Sequence, residues 1–278
     1  MNLPLRAENG TKHAARSSAR FWLLLEIFTV AGAVIFYFGV LRPSLARSEL
    51  NTRLLKDLKV CRGNADLDVI RRLLRQGANP NAADTGSDSL TALTIASGGG
   101  YPPVVELLLD AGANVNDKGK IASIVDESGQ VLDGVTPLWM AAFSGNSAVC
   151  KMLIERGADI HAVDSRNGSI ILYSRSNDVV ELLLGQGLHI NARDKDGSTL
   201  LVVSAAAYAS GDPHSFAARA AAGSGVPDLD FLLRHGADPN VSTKAGLTPL
   251  NALKASSRRS DLVDLLRRAG ARESLKGK

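Results

Sequence analysis

The side chains best suited to metal binding or nucleophilic chemistry are five histidines and two cysteines among 278 residues. Their spacing argues against both uses. Two thiols exclude a four-thiolate zinc site, and no H-E-x-x-H run puts two imidazoles on one helix face. His161, His189 and His235 each lie beside a recurring glycine phrase, so a metal would need ligands from separate segments. Asp194-Lys195-Asp196-Gly197 resembles the opening of a calcium loop, but its glycine comes too early and no glutamate closes the loop at the twelfth position. It reads instead as an exposed turn. Neither G-x-x-x-x-G-K-[ST] nor G-x-S-x-G occurs. Gly98-Gly99-Gly100 does not follow a strand and so is not a phosphate cradle. Asp212 and His214, within 208–223, are the remaining titratable candidates for a hidden catalytic role. The expectation is no catalytic, cofactor-binding or metal-ligating residue, and no enzyme.

With chemistry set aside, the chain divides by charge and hydropathy. Its net charge is +4, and the short leader 1–20 alone carries +3. Residues 21–41, FWLLLEIFTVAGAVIFYFGVL, hold a single charge, Glu26, with Phe21, Trp22 and Tyr37 toward the ends. A 21-residue apolar helix is about as long as the ~30 Å hydrocarbon layer is thick, and aromatics prefer its interfaces. The reading is a basic cytoplasmic leader (1–20), a transmembrane helix (21–41), a linker (42–49) and a folded domain (50–278). A positive-inside count ties, because residues 42–56 hold four basic residues as the leader does. A short basic tail resists translocation more than a long domain does, which favours export of the domain, periplasmic or extracellular. A cleaved signal peptide ending at Ser44-Leu45-Ala46 and a reversed, cytosol-facing topology stay open. An exported domain with unpaired thiols at Cys61 and Cys150 is the best argument for reversal.

Beyond the span, one phrase recurs: an apolar helix ending in Leu-Leu, then Gly-Ala-Asn/Asp. It appears as RRLLRQGANPN (71–81), VVELLLDAGANVN (104–116), CKMLIERGADIH (150–161), VVELLLGQGLHIN (179–191), LDFLLRHGADPN (229–240) and LVDLLRRAGARES (262–274). A second phrase precedes most of these: TALTIAS (91–97), TPLWMAA (136–142), TPLNALK (248–254) and a weaker STLLVVSAA (198–206). Threonine then proline supplies a helix cap and a first residue needing no amide donor. Glycine after the second helix allows the left-handed stop. Stacked helix pairs bury faces that one pair could not.

These two phrases in register resemble the ankyrin-repeat family over roughly residues 50–274. The resemblance implies an all-α solenoid of about six helix-turn-helix units with β-hairpin fingers, preceded here by the transmembrane helix. Where the family has a histidine, this chain has Thr94, Trp139, Val202 or Asn251, so the hydrogen bond of that histidine is expected to be absent. Unit four is expected to have a shortened first helix, and unit one lacks the Thr-Pro-Leu phrase. Two insertions break the period. Residues 118–133 read as an elongated β-hairpin, and 208–223 as an extension of the first helix of unit five.

Charge is uneven along the stack, with +5 over 42–75, −8 over 76–253 and +5 over 254–278. The acidic middle argues against a nucleic-acid groove and suits a partner with a basic face. The basic start suits anionic headgroups. Asn167-Gly168-Ser169 and Asn240-Val241-Ser242 match glycosylation acceptors, discounted because leader and composition look bacterial. The family resemblance implies protein contacts through fingertips and first-helix residues of the concave face. By position these are Leu132, Asp133, Val135, Phe143 and Ser144 in unit three, Lys195, Asp196, Ser198, Ala206 and Ala207 in unit five, and Lys244 and Leu247 in unit six. Phe143 is the expected anchor, with little role in stability. The reading is therefore a membrane-tethered interaction module for a protein partner, without cofactor or nucleic acid. The alternatives are a regulator or inhibitor of an exported enzyme, and a cytosol-facing scaffold.

Overall fold

A computed structural model describes residues 42–60, 64–86, 88–125, 131–209, 227–254 and 260–273. The chain divides between Leu50 and Asn51 into two compact units. Helix α1 spans Arg42–Val60, so the expected linker 42–49 is helical. The expected span 21–41 lies outside the described residues, as do Cys61 and most of 208–223. Among the described residues no helix is long and apolar enough to cross a membrane.

The second unit is a double row of short helices. One row is α3 (Ala92–Gly99), α5 (Pro137–Phe143), a 3-10 turn (Ile170–Tyr173), α8 (Leu200–Ala209) and α10 (Pro249–Lys254). The other is α2 (Asn64–Arg75), α4 (Pro102–Asp110), α6 (Ser147–Glu155), α7 (Asn177–Gly185), α9 (Leu229–Arg234) and α11 (Ser260–Arg268). Neighbours stack within the first row, α3 on α5 and α8 on α10, and within the second, α4 on α6 and α6 on α7. Among the described residues the second helices of all six expected units are present, and the first helix of unit four is reduced to the 3-10 turn.

The recurring phrases explain this stacking. Thr91, Thr136 and Thr248 accept hydrogen bonds from the amides of Thr94, Trp139 and Asn251, capping α3, α5 and α10. The expected loss of the family histidine's bond is corrected at Thr94, whose hydroxyl meets that of Thr91 at 2.9 Å. At Trp139 the indole Nε1 is buried without a partner. In the second helices one leucine sits four residues before each repeat glycine. Leu108, Leu153, Leu183, Leu232 and Leu266 are all fully buried. Their carbonyls accept from the residue just after the glycine, for example Ala113 to Leu108 and Ala158 to Leu153 at 2.9 Å. This closure requires a left-handed residue between them, and Gly112 and Gly157 supply it with φ of +91° and +87°.

Asparagines then join unit to unit along the edge that follows these glycines. Asn81 accepts from the Asn114 amide at 2.7 Å and donates to the Gly112 carbonyl at 3.1 Å. Asn116 bridges likewise to Asp159 and Gly157, Asn191 to Asp238 and Gly236, and Asn240 to Arg272 and Gly270. Between units three and four His161 stands in that position, and no such bridge occurs among the described residues.

The insertion at 118–133 forms the expected antiparallel hairpin, β1 (Gly119–Val125) against β2 (Val131–Val135). Ile121 pairs with Leu132, and both are buried. Gly119 has no side chain because the Ser89 carbonyl would lie 2.5 Å from a Cβ there.

Candidate interaction surface

An aspartate builds the finger turn in units four and five, and Thr243 takes that place in unit six, its hydroxyl accepting from the Leu247 amide at 3.1 Å. In unit five Asp194 Oδ1 accepts from the amides of Asp196 and Ser198 at 2.9 and 2.8 Å, with Gly197 at φ +79°. In unit four Asp164 Oδ1 does the same for Arg166 and Gly168. These turns are then threaded together by their backbones. The Ser165 amide donates to the Asp133 carbonyl at 2.9 Å, Lys195 to Arg166 at 2.9 Å, and Lys244 to Asp196 at 2.8 Å. Arg166 and Asp196 also form an ion pair at 3.5 Å. Four of the expected contact residues, Asp133, Lys195, Asp196 and Lys244, therefore lie in one row across units three to six. Their backbones hold one another, and the side chains of Asp133 and Lys244 are exposed while those of Lys195 and Asp196 are half-buried.

Not every expected residue offers its side chain. Leu132 and Val135 are 2% and 0% exposed: alternation along β2 turns Leu132 inward and Asp133 outward, and the bulge at Gly134, with φ +82°, shifts the register so that Val135 also faces inward. Ala207, at 4%, faces the packed side of α8. Ser144, Ser198 and Ala206 are half-buried, and Leu247 is 39% exposed. Phe143 is half-buried rather than a free anchor: its ring stacks on Trp139 at 4.9 Å.

Beside Phe143 a narrow cleft, with room for about one water molecule, opens where unit four lacks a full first helix. Leu172, Leu200 and Val203 form apolar walls, and Arg175 is the charged residue lining it. The guanidinium lies 3.7 Å from the Phe143 ring centroid. Arg175 is only 8% exposed, and its Nε and Nη2 have no hydrogen-bond partner. Burial pushes its pKa down to about 10, so it stays charged at neutral pH. The Arg175 amide donates to the Ala142 carbonyl at 3.2 Å, which fixes this residue against the end of α5. Residue-by-residue reading missed Arg175. Laying unit four on units two and three would have found it, since it stands where those have the left-handed Gly100 and Gly145.

Among the described residues no three His, Cys, Asp or Glu side chains gather as a metal site. The Cys150 thiol is free and buried, and that burial pushes its pKa up to about 12.

Comparison with known proteins agrees with this architecture. Residues 58–164 match the family model for ankyrin repeats, in three copies. The chain carries ankyrin repeats. These ankyrin repeats are 32% identical over 209 residues to the mouse B-cell lymphoma 3 protein homolog, covering 74% of this chain and 40% of that protein. The human B-cell lymphoma 3 protein is 32% identical over 203 residues, covering 72% of this chain and 38% of the relative. The Caenorhabditis elegans ankyrin repeat and KH domain-containing protein mask-1 is 31% identical over 254 residues, 76% of this chain and 10% of its own length. The chain thus spans two-fifths or less of these relatives. Ankyrin-repeat proteins are generally protein–protein interaction modules.

Proposed function

We propose that this chain is a non-enzymatic ankyrin-repeat interaction module that captures a protein partner through its fingertips and first-helix face. The observation that carries the reading is the fingertip row. Backbone bonds from Asp133 through Ser165, Arg166, Lys195 and Asp196 to Lys244 fix the tips before any partner arrives, which lowers the ordering cost of binding. The acidic middle of the stack favours a partner with a basic face. Residues 21–41 tether the module to a membrane, with the leader cytoplasmic and the repeats exported. The inert, buried thiol of Cys150 suits either side of a membrane, so it no longer favours reversal.

A photo-crosslinking amino acid placed at Asp196, and as a control at Glu181 on the outer helix α7, tests the interaction in cells. One discrete adduct from position 196 and none from 181 supports the reading; equal labelling from both overturns it. A reporter fused after Lys278, read on each side of the membrane, tests the orientation.

A further inference from the structure

Among the described residues, every junction between units but one is closed by the same pair of hydrogen bonds. Asn81, Asn116, Asn191 and Asn240 each stand four residues after a repeat glycine. In each, Oδ1 accepts from an amide of the next unit at 2.7–2.9 Å, two residues beyond that unit's own glycine. Nδ2 donates to the carbonyl of that glycine at 2.9–3.2 Å. Between units three and four the same acceptor and donor are present, the Gly187 carbonyl and the His189 amide. They follow the same helix closure, with Gly187 at φ +90° and the Leu188 amide donating to Leu183 at 3.2 Å. Both residues are exposed, and neither group has a protein partner among the described residues. His161 cannot serve in place of asparagine. The two nitrogens of an imidazole diverge, whereas the oxygen and one N–H of a carboxamide point the same way. An open cleft of about 570 Å³ lies at this junction, lined by His161, Ser169, Gly187, His189 and Asn191.

We propose that this cleft receives the carboxamide of an asparagine or glutamine side chain from a partner polypeptide, which donates to the Gly187 carbonyl and accepts from the His189 amide. The stack already binds this ligand at its other junctions, where its own asparagines supply it. Competing groups match the pair less well. A carboxylate has no donor for Gly187, and an ammonium or guanidinium has no acceptor for His189. A main-chain peptide group is trans, so its C=O and N–H point opposite ways and cannot serve both. Adenine offers a matching edge, but residues 76–253 carry a net charge of −8, which repels the phosphate of a nucleotide. Both groups exchange water for the ligand, so the carboxamide alone binds weakly and acts as one contact of a larger interface. The proposal rests on the interaction-module reading and adds a contact outside the fingertip row.

The test titrates the isotope-labelled full-length protein with N-acetylasparagine methylamide, with its aspartate and leucine analogues, and with adenosine monophosphate. The backbone amide resonance of His189 is followed throughout. The three amino-acid compounds carry the same two peptide groups, so they differ in the side chain alone. The asparagine compound is expected to bind about tenfold more tightly than the other two and to shift the His189 resonance. His161→Asn supplies the carboxamide from within the chain. It is expected to raise the melting temperature and to abolish the shift caused by the asparagine compound. His161→Ala leaves the pair open and is expected to bind as the unaltered protein does. Lost binding in a more stable protein is not damage to the fold. Equal binding of the three amino-acid compounds, tighter binding of adenosine monophosphate, or undiminished binding by His161→Asn would each overturn the proposal. Loss of binding in His161→Ala would assign the site to the imidazole, and failure of His161→Asn to fold would show that the junction cannot hold a carboxamide; either would overturn it as well. Crosslinking from Asp196 without binding of the asparagine compound would discard the cleft and keep the module. Binding without crosslinking would discard the fingertip reading alone.

Discussion

The guanidinium carbon of Arg175 lies 3.7 Å from the centre of the Phe143 ring, itself stacked on Trp139 at 4.9 Å. This joins the end of α5 to the short turn that replaces a helix in unit four. Phe143 is therefore as much a structural residue as a surface one. Phe143→Ala should lower unfolding stability by about 2–3 kcal/mol, from lost ring burial and a lost cation–π contact. Urea unfolding measures it, and a loss below ~0.5 kcal/mol would return Phe143 to the role of a free anchor.

The asparagine bridges make a second prediction. Asn116→Ala removes two inter-unit hydrogen bonds and should cost about 1–2 kcal/mol. His161→Asn restores the residue type that bridges the other junctions and should gain about 1 kcal/mol. Opposite shifts in denaturation midpoint, with unchanged slope, are the expected result.

Leu153 is fully buried where α6 meets its neighbours, and its carbonyl closes the end of that helix. Leu153→Ala should cost about 3–5 kcal/mol, whereas Leu247→Ala at an exposed fingertip should cost under ~0.5 kcal/mol. Thermal unfolding of the two side by side checks the difference.

Alkaline pH supplies a fourth test. Burial pushes the Cys150 thiol up to about 12, above the ~8.5 of a thiol in an unfolded chain. Between those values the unfolded chain releases a proton that the folded chain keeps. Stability therefore falls as pH rises, by up to roughly 1.4 kcal/mol per unit from this group. Burial raises the Tyr173 phenol as well, followed by the nearby Asp164 carboxylate, and that adds to the fall above pH ~10. Cys150→Val should flatten the decline between about pH 8.5 and 10; an unchanged slope would place its source elsewhere.

Much of the stack was legible because its signals are local and repeated. Thr136-Pro137 marks a helix start whatever lies around it, and a leucine four residues before a glycine marks a helix end. The hairpin at 118–133 announced itself by β-branched runs around a turn. What escaped was set by neighbours. Leu132 and Val135 lie within two residues of Asp133, yet strand alternation sends the first inward and the bulge at Gly134 the second. Arg175 gave no sign within its own segment. Its meaning comes from replacing a turn glycine, from the short helix before it and from the Phe143 ring contributed by the preceding unit.

The missing bridge at His161 also bears on mechanics. Units three and four are joined along the fingertips by Ser165 and Asp133 and at the end of α5 by Arg175 and Ala142, while on the opposite edge α6 packs on α7 without the asparagine hydrogen bonds of the other junctions. Strain on that edge is therefore borne by apolar packing there and by directional hydrogen bonds at the other junctions.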